Sequence, residues 1–333
     1  MTSKFNYVEL FAGIGGFHLG LAKIGGQNLF ASEWDRFAVT TYKSWFPEVD
    51  VETKDIREVD HRKVIPRHDL LVAGFPCQPF SLAGVSKKNS LKKPHGFLDP
   101  HQGNLFFSIA EIVRVKRPKI ILLENVKNLK SHDGGKTWNT IADILQSLNY
   151  DVKSSIIDAK HWVPQHRERV YIVAFDRRTY TKQEIASFHF PSKPKRAMPK
   201  LQEILETDGY HDYELSANLW KYLKSYAKKH AAAGNGFGYQ VADKEGISRT
   251  LSARYHKDGS EILIIESDLR RPRRLMEVEA ARLMGFDSKY RALTRYGRGF
   301  QQVVSKTQSY KQFGNAVVPH VVTAIANNFK HML

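Results

Sequence analysis

Short apolar runs recur through the first half of the chain, each followed by a stretch whose apolar residues fall at helical spacing. That alternation is the signature of a wound α/β sheet. The runs at 7–11, 28–32, 69–73, 119–123, 152–157 and 170–175 predict strands, and the stretches 16–24, 36–45, 104–115 and 137–148 predict helices between them. Near residue 190 the texture changes: Pro191, Pro194 and Pro199 mix with Lys193, Lys195, Arg196 and Lys200, a linker signal. From there to about residue 304 the chain is glycine-rich and basic, with short strand-like pieces such as 261–266. The pattern at 317–329 returns to a helix suited to pack on the first unit. The expected division is therefore 1–191 plus 305–333 as one domain and 192–304 as a second, with no internal repeat.

The length of 333 residues agrees with about two domains at roughly 150 residues each. A hydrophobic content of 42% supports a folded core. The single cysteine, Cys77, excludes an internal disulfide and any zinc site needing two thiolates, and the 14 histidines show no ligand spacing, so no metal is expected. No run approaches the roughly 20 apolar residues of a membrane span, and the first residues carry no leader pattern. A cytoplasmic, monomeric protein without a membrane partner is expected. The formal net charge of +17 steers the chain toward polyanions, nucleic acid first among them. A merely basic surface remains the plain alternative.

Glu9-Leu10-Phe11-Ala12-Gly13-Ile14-Gly15-Gly16-Phe17 places glycines at a strand-to-helix turn, where a ligand can approach the backbone. His18 stands where a dinucleotide fingerprint needs its third glycine, so a nucleoside cofactor without a pyrophosphate fits better. Glu33, twenty residues after Gly13, is placed to accept from a ribose diol, and Trp34 to stack on an adenine. A turn that only packs helix on strand is the alternative. Gly74-Phe75-Pro76-Cys77-Gln78-Pro79-Phe80-Ser81 follows the third long strand, on the sheet edge where wound folds place their sites. Lone cysteines are mostly buried filler, but one between prolines in a strand-terminal loop of a basic chain suits an exposed thiolate. Two further candidates are Leu123-Glu124-Asn125-Val126, a carboxylate ending an apolar strand, and the charge run Gln165-His166-Arg167-Glu168-Arg169-Val170. Asp133-Gly134-Gly135-Lys136-Thr137 imitates a phosphate-binding loop, but Lys130 occupies its first glycine position, which excludes an NTPase reading.

In this order, the glycine turn, Pro76-Cys77-Gln78, Glu124-Asn125-Val126, residues 165–169, 274–286 and Gln312-Phe313-Gly314-Asn315 resemble the cytosine-C5 DNA methyltransferases, particularly the bacterial restriction-modification type. The resemblance spans about residues 6–328. It implies a Rossmann-like S-adenosylmethionine-dependent methyltransferase fold with a smaller, mostly β or irregular target-recognition domain. It also implies S-adenosylmethionine as donor, S-adenosylhomocysteine as product, and duplex DNA with a flipped-out cytosine as substrate. A cognate restriction endonuclease acting on the same site is the implied companion. By resemblance Cys77 is the nucleophile, Glu124 contacts the base at N3, and Arg167 and Arg169 stand beside it. The implied cofactor residues are Phe11, Gly13, Ile14, Gly15, Gly16, Glu33, Trp34, Asp55, Ile56, Pro76, Leu105 and Asn315.

DNA contacts are expected from the loop 81–104, with Ser81, Lys87 and Lys88, from Gln165, and from the second region. There Arg249-Thr250-Leu251-Ser252-Ala253-Arg254 resembles the family's Thr-Leu recognition element. Thr250, Leu251, Arg254, Lys257 and Arg273, within the cluster of Arg270, Arg271, Arg273 and Arg274, are the candidates for base or phosphate contact, whereas Arg282 and Met284 are expected to pack or pair. Three departures from the resemblance stand out: the loop after Cys77 is longer than in the compact bacterial enzymes, Gln102-Gly103 replaces the usual Arg-Gly, and Ala316 stands where several relatives have serine. No residue declares itself as the base for the carbon-5 proton. The rival readings are a tRNA cytosine methyltransferase on the same scaffold, whose Cys-Phe-Thr tripeptide this chain lacks, and a catalytically silent DNA-binding relative.

Overall fold

The computed structural model describes residues 5–76, 105–236, 238–286 and 301–333. Cys77, Gln78, Ser81, Lys87 and Lys88 lie outside the described residues. Seven strands form one sheet: β1 (Phe5–Leu10), β2 (Gly26–Ser32), β3 (Val51–Glu52), β4 (Leu70–Gly74), β5 (Ile120–Val126), β6 (Tyr150–Asp158) and β7 (Glu168–Asp176). Their order is β3-β2-β1-β4-β5-β7-β6. All pairs are parallel except β5 with β7 and β7 with β6. The helices between the strands are α1 (Gly16–Ala22), α2 (Arg36–Trp45), α3 (Leu105–Lys116) and α4 (Lys136–Ser147).

Period-two burial explains why the central runs contain so little polar sequence. In β4, Leu70 and Val72 join the core on one face while Leu71 and Ala73 join the core on the other; in β5, Ile120 and Leu122 alternate likewise with Ile121 and Leu123. The strand that leaves β1 returns beside it as β2, and the chain then crosses to β4 on its other side. The switch point between β1 and β4 opens a crevice at the carboxyl ends of the strands, the place where wound sheets bind ligands.

The remaining helices are α5 (Lys182–Ser187), α6 (Ala217–Ala232), α7 (Tyr255–Asp258), α8 (Glu277–Leu283), α9 (Lys306–Asn315) and α10 (Pro319–Asn327). α10 closes back on α1, where Thr323 Oγ1 donates to the Gly20 carbonyl at 2.8 Å. Between 192 and 304 the described regular structure differs from the strand-like pattern expected. Residues 261–266 make only isolated bridges, Val241 with Leu263 and Ile264 with Arg273, and the longest element is the 16-residue helix α6. Apolar residues of this region, among them Leu251, Ile262 and Leu275, belong to the same core as β1 and α10.

Candidate active site

The glycine turn forms one end of the crevice. Phe11, Gly13 and Gly15 have φ of 55°, 55° and 83°, left-handed values that reverse the chain between β1 and α1. A Cβ on Gly15 would stand 2.4 Å from a ring carbon of Phe46, so the turn accepts no side chain there. The Gly13 N–H donates to Glu33 Oε2 at 2.9 Å and the Asp35 N–H to Oε1 at 2.8 Å, fixing the carboxylate at the end of β2. Burial raises the Glu33 carboxyl and these N–H groups counter it. Beside it the indole of Trp34 is 70% exposed. Phe11, Gly13, Ile14, Gly16, Glu33, Trp34, Asp55, Ile56, Pro76, Leu105 and Asn315 all line a cleft of about 630 Å³. Gly15 shapes the turn behind it.

These features fit an adenosine-type cofactor. Each Glu33 oxygen has a backbone donor and retains acceptor capacity for a diol, and the exposed indole offers a stacking face. His18 is buried and stacked on Phe46 with ring centroids 3.8 Å apart, so an aromatic side chain occupies the place where a dinucleotide site needs glycine. Asp55 is held by Arg57, whose Nε lies 3.0 Å from Oδ1.

The other end of the cleft is built by register. Gly74 of β4 lies opposite Glu124 of β5, and Val126 lies opposite Arg169 of β7, so the three strand ends converge. Arg169 Nε stands 3.3 Å from Glu124 Oε1, and Arg169 Nη1 donates to the Glu168 carbonyl at 2.8 Å. Burial raises the Glu124 carboxyl above the ordinary carboxylate value, against the pull of Arg169 and then Arg167. A carboxyl so placed holds a proton more readily than an exposed one and stands where it can share it with a bound base. Asn125 donates from Nδ2 to the Phe75 carbonyl at 2.8 Å and so ties β5 to the segment that reaches Pro76.

A family model for C-5 cytosine-specific DNA methylases matches residues 5–331. The chain belongs to this family. A DNA-cytosine methyltransferase of Escherichia coli K12 is 45% identical over 97% of this chain and 76% of its own length. The type II methyltransferase M1.ScrFI of Lactococcus lactis subsp. cremoris is 42% identical over 100% of this chain and 79% of its own. Among solved structures, the S. pombe Dnmt2 methyltransferase superposes with a TM-score of 0.70 at 18% identity, covering 98% of this chain and 99% of that one. The α/β fold is thus that of the methyltransferases. Among the described residues no helix is long and apolar enough to cross a membrane.

Several residues expected to meet DNA in this C-5 cytosine methylase are internal, which corrects the sequence reading. Gln165 is fully buried: its Oε1 accepts from the Leu251 N–H at 2.8 Å, and its Nε2 donates to the Leu283 carbonyl at 3.2 Å. Leu251 is buried with it. Arg273 is enclosed, its guanidinium bonded to Glu279 at 2.8 and 3.0 Å and to Glu266 at 2.9 and 3.0 Å, over the ring of Tyr210. Two carboxylates so close neutralise the cation, leaving nothing for a phosphate.

Arg167 also departs from a directly catalytic role. It is buried, and its guanidinium donates to the carbonyls of Leu251, Gly314 and Ala316 at 3.0, 2.9 and 2.8 Å. It fastens the Thr250-Leu251 segment to the strand of chain around Asn315, at the wall of the cleft. Thr250 donates from Oγ1 to the His166 carbonyl at 2.6 Å, while Arg254 and Lys257 are exposed. Arg282 pairs with Glu206 at 2.6 Å and Met284 is buried, as their spacing suggested.

Beneath the glycine turn lies a network the motif reading passed over. Glu9 of β1 is fully buried; its Oε2 accepts from Tyr42 Oη at 3.1 Å and Asn28 Nδ2 at 3.3 Å, and Tyr42 Oη lies 2.9 Å from His18 Nδ1. The only signal was a carboxyl between the apolar Val8 and Leu10 of β1. Gln312 was likewise missed as a site residue. It lines the cleft, accepting from Thr41 Oγ1 at 3.0 Å, and its buried Nε2 has no partner among the described residues.

Proposed function

We propose that this protein transfers the methyl group of S-adenosylmethionine to carbon 5 of a cytosine flipped out of duplex DNA, working in the cytoplasm beside a restriction endonuclease that cuts the same site. The observation that carries the reading is the Glu124–Arg169 pair at 3.3 Å, lining the same cleft as the Gly13–Glu33–Trp34 cradle, with Pro76 on the shared wall. Cys77 is the next residue in the chain after Pro76.

Glu33, Trp34, Ile56 and Asn315 hold the cofactor, which when bound supplies an electrophilic methyl on a sulfonium. The Cys77 thiolate adds to carbon 6 of the cytosine, and Glu124 gives its proton to N3 as electron density moves to carbon 5. Arg169 stabilises the charge that develops on the ring. Carbon 5 takes the methyl, its proton leaves to solvent, N3 returns its proton to Glu124, and the Cys77 thiolate departs. Arg167 keeps the recognition segment and the Asn315 segment aligned during these steps. Residues 192–304 read the sequence, with Arg254 and Lys257 as exposed cations that follow the Thr250-Leu251 element in the chain. Extrusion of the base costs a few kcal/mol, which the DNA contacts offset.

Incubation with methyl-labelled S-adenosylmethionine and either duplex DNA or tRNA tests this. Label in the duplex supports the proposal, label only in tRNA selects the RNA enzyme, and DNA binding without label selects a silent relative.

A further inference from the structure

Helix α6 carries a charge arrangement that neither the cleft nor the core explains. Its sequence, ANLWKYLKSYAKKHAA, holds Lys221, Lys224, Lys228 and Lys229 and no acidic residue. Leu223 is its one buried residue, and the helix rests on Leu215 and Leu263 through Leu219, Leu223 and Trp220. At 100° per residue the lysines occupy an arc of about 140° opposite that seat, along about 12 Å of axis. All are exposed, and among the described residues none is paired with a carboxylate.

Two of the four have a local reason. Lys229 lies in the last turn, where the helix dipole favours a cation, and Lys224 Nζ stands 5.4 Å from the Trp220 ring centroid. Lys221 and Lys228 have none, and like charges at spacings of three and four residues (221 with 224, 224 with 228) oppose helix formation. Tyr222, 58% exposed, flanks the row. Solubility does not require such a row in a chain already at +17.

The helix's seat is also tied to the recognition segment. Leu263 lies in the piece 261–266, where the Ile262 carbonyl accepts from Tyr255 Oη of α7 at 2.7 Å. α7 carries Lys257 and follows Arg254. One frame therefore supports both sets of cations.

We propose that the outward face of α6 is a second DNA-contact surface, gripping backbone phosphates beside the recognised site without reading bases. A duplex presents one negative charge per roughly 1.7 Å of axis, so a 12 Å row meets several. This inference rests on the DNA-methylase reading and adds a footprint to it.

The test is Lys221→Ala/Lys228→Ala, a change that favours the helix and leaves its seat intact. Binding to a duplex of about 40 base pairs containing the methylated site is measured across salt, with turnover at saturating DNA. The double variant is expected to bind about tenfold more weakly at roughly 50 mM salt, relative to any difference at 200 mM, and its log–log slope falls by about two units. Maximal turnover stays at the parent's level, and so does the melting temperature. Unchanged affinity and slope in a parent that methylates the duplex would overturn the surface while leaving the methylase standing. Loss of binding to anionic vesicles with DNA binding unchanged would overturn it too, in favour of a lipid partner. A parent that binds duplex with the predicted slope difference yet transfers no methyl would refute the reaction alone.

Discussion

Replacing Arg167 by lysine separates a positioning role from a catalytic one. The guanidinium reaches three carbonyls from two distant segments, Leu251 at 3.0 Å and Gly314 and Ala316 at 2.9 and 2.8 Å. Lysine keeps the charge but loses the planar fork, whose Nη1 reaches Leu251 while Nη2 reaches Gly314 and Ala316, so it cannot serve both segments. One or two buried carbonyls then lack donors. At about 1–3 kcal/mol for each unsatisfied group, the loss is about 1–6 kcal/mol, less whatever water entering from the cleft recovers. Burial and then Arg169 already disfavour charge at this position, so a misplaced ammonium gains little in return. The assay pairs thermal unfolding with steady-state kinetics on duplex DNA and cofactor titration. The variant should melt several degrees lower and bind S-adenosylmethionine more weakly, with KM for both substrates raised more than kcat is lowered. An unchanged melting temperature together with a large fall in kcat alone would refute this reasoning and return Arg167 to direct contact with the base.

Glu124→Gln keeps shape but cannot transfer a proton, so methyl transfer should fall by about 10²–10⁴ in single-turnover experiments. Because burial raises this carboxyl, the parent's kcat/KM should decline as pH rises through its titration, a limb the variant lacks. Glu9 is raised from 4.5 to about 8, chiefly by burial; the folded state holds its proton longer, so this contribution to stability is full below pH 4.5 and is lost as pH climbs to about 8. Glu9→Gln should flatten that decline in denaturant titrations, and an identical pH dependence in the variant would count against a buried neutral carboxyl. Arg273→Met leaves the buried Glu279 without its cation, while Glu266 keeps Lys244 at 2.5 Å, and should cost about 3–5 kcal/mol of stability with no change in the salt dependence of DNA binding. A stable variant with a shallower salt slope would mean that Arg273 meets phosphate after all.

The sheet was readable because burial on both faces forces continuous apolar runs; β4 and β5 are instances, and their boundaries follow from where the run stops. β3 escaped notice since two residues, Val51 and Glu52, carry no period. α6 was missed because it is seated by a narrow stripe, although Ser216, whose Oγ accepts from the Leu219 N–H at 3.2 Å, was a usable start signal. The cleft residues were legible as glycines and carboxylates at strand ends, since chemistry there constrains residue type. What single-chain reasoning could not see was the fate of buried charge. Arg273 and Gln165 look like surface groups until Glu266, Glu279 and Leu251, brought by tertiary folding, neutralise or bond them. Arg167 and Arg169 stand two residues apart in one motif, yet one is bonded to carbonyls and the other paired with a carboxyl, a distinction set by partners about 80 and 150 residues away from Arg167 in the chain.

The proposed reaction requires a sulfur–carbon bond between Cys77 and the target cytosine. Duplex DNA carrying 5-fluorocytosine at the methylated position blocks loss of the substituent at carbon 5, so the adduct formed in the presence of S-adenosylmethionine persists through denaturing electrophoresis. Peptide mass mapping of that band should find the methylated nucleotide on Cys77, and Cys77→Ala should give no band. A parent enzyme that methylates normal duplex but forms no adduct, or one bonded at another residue, would contradict the mechanism.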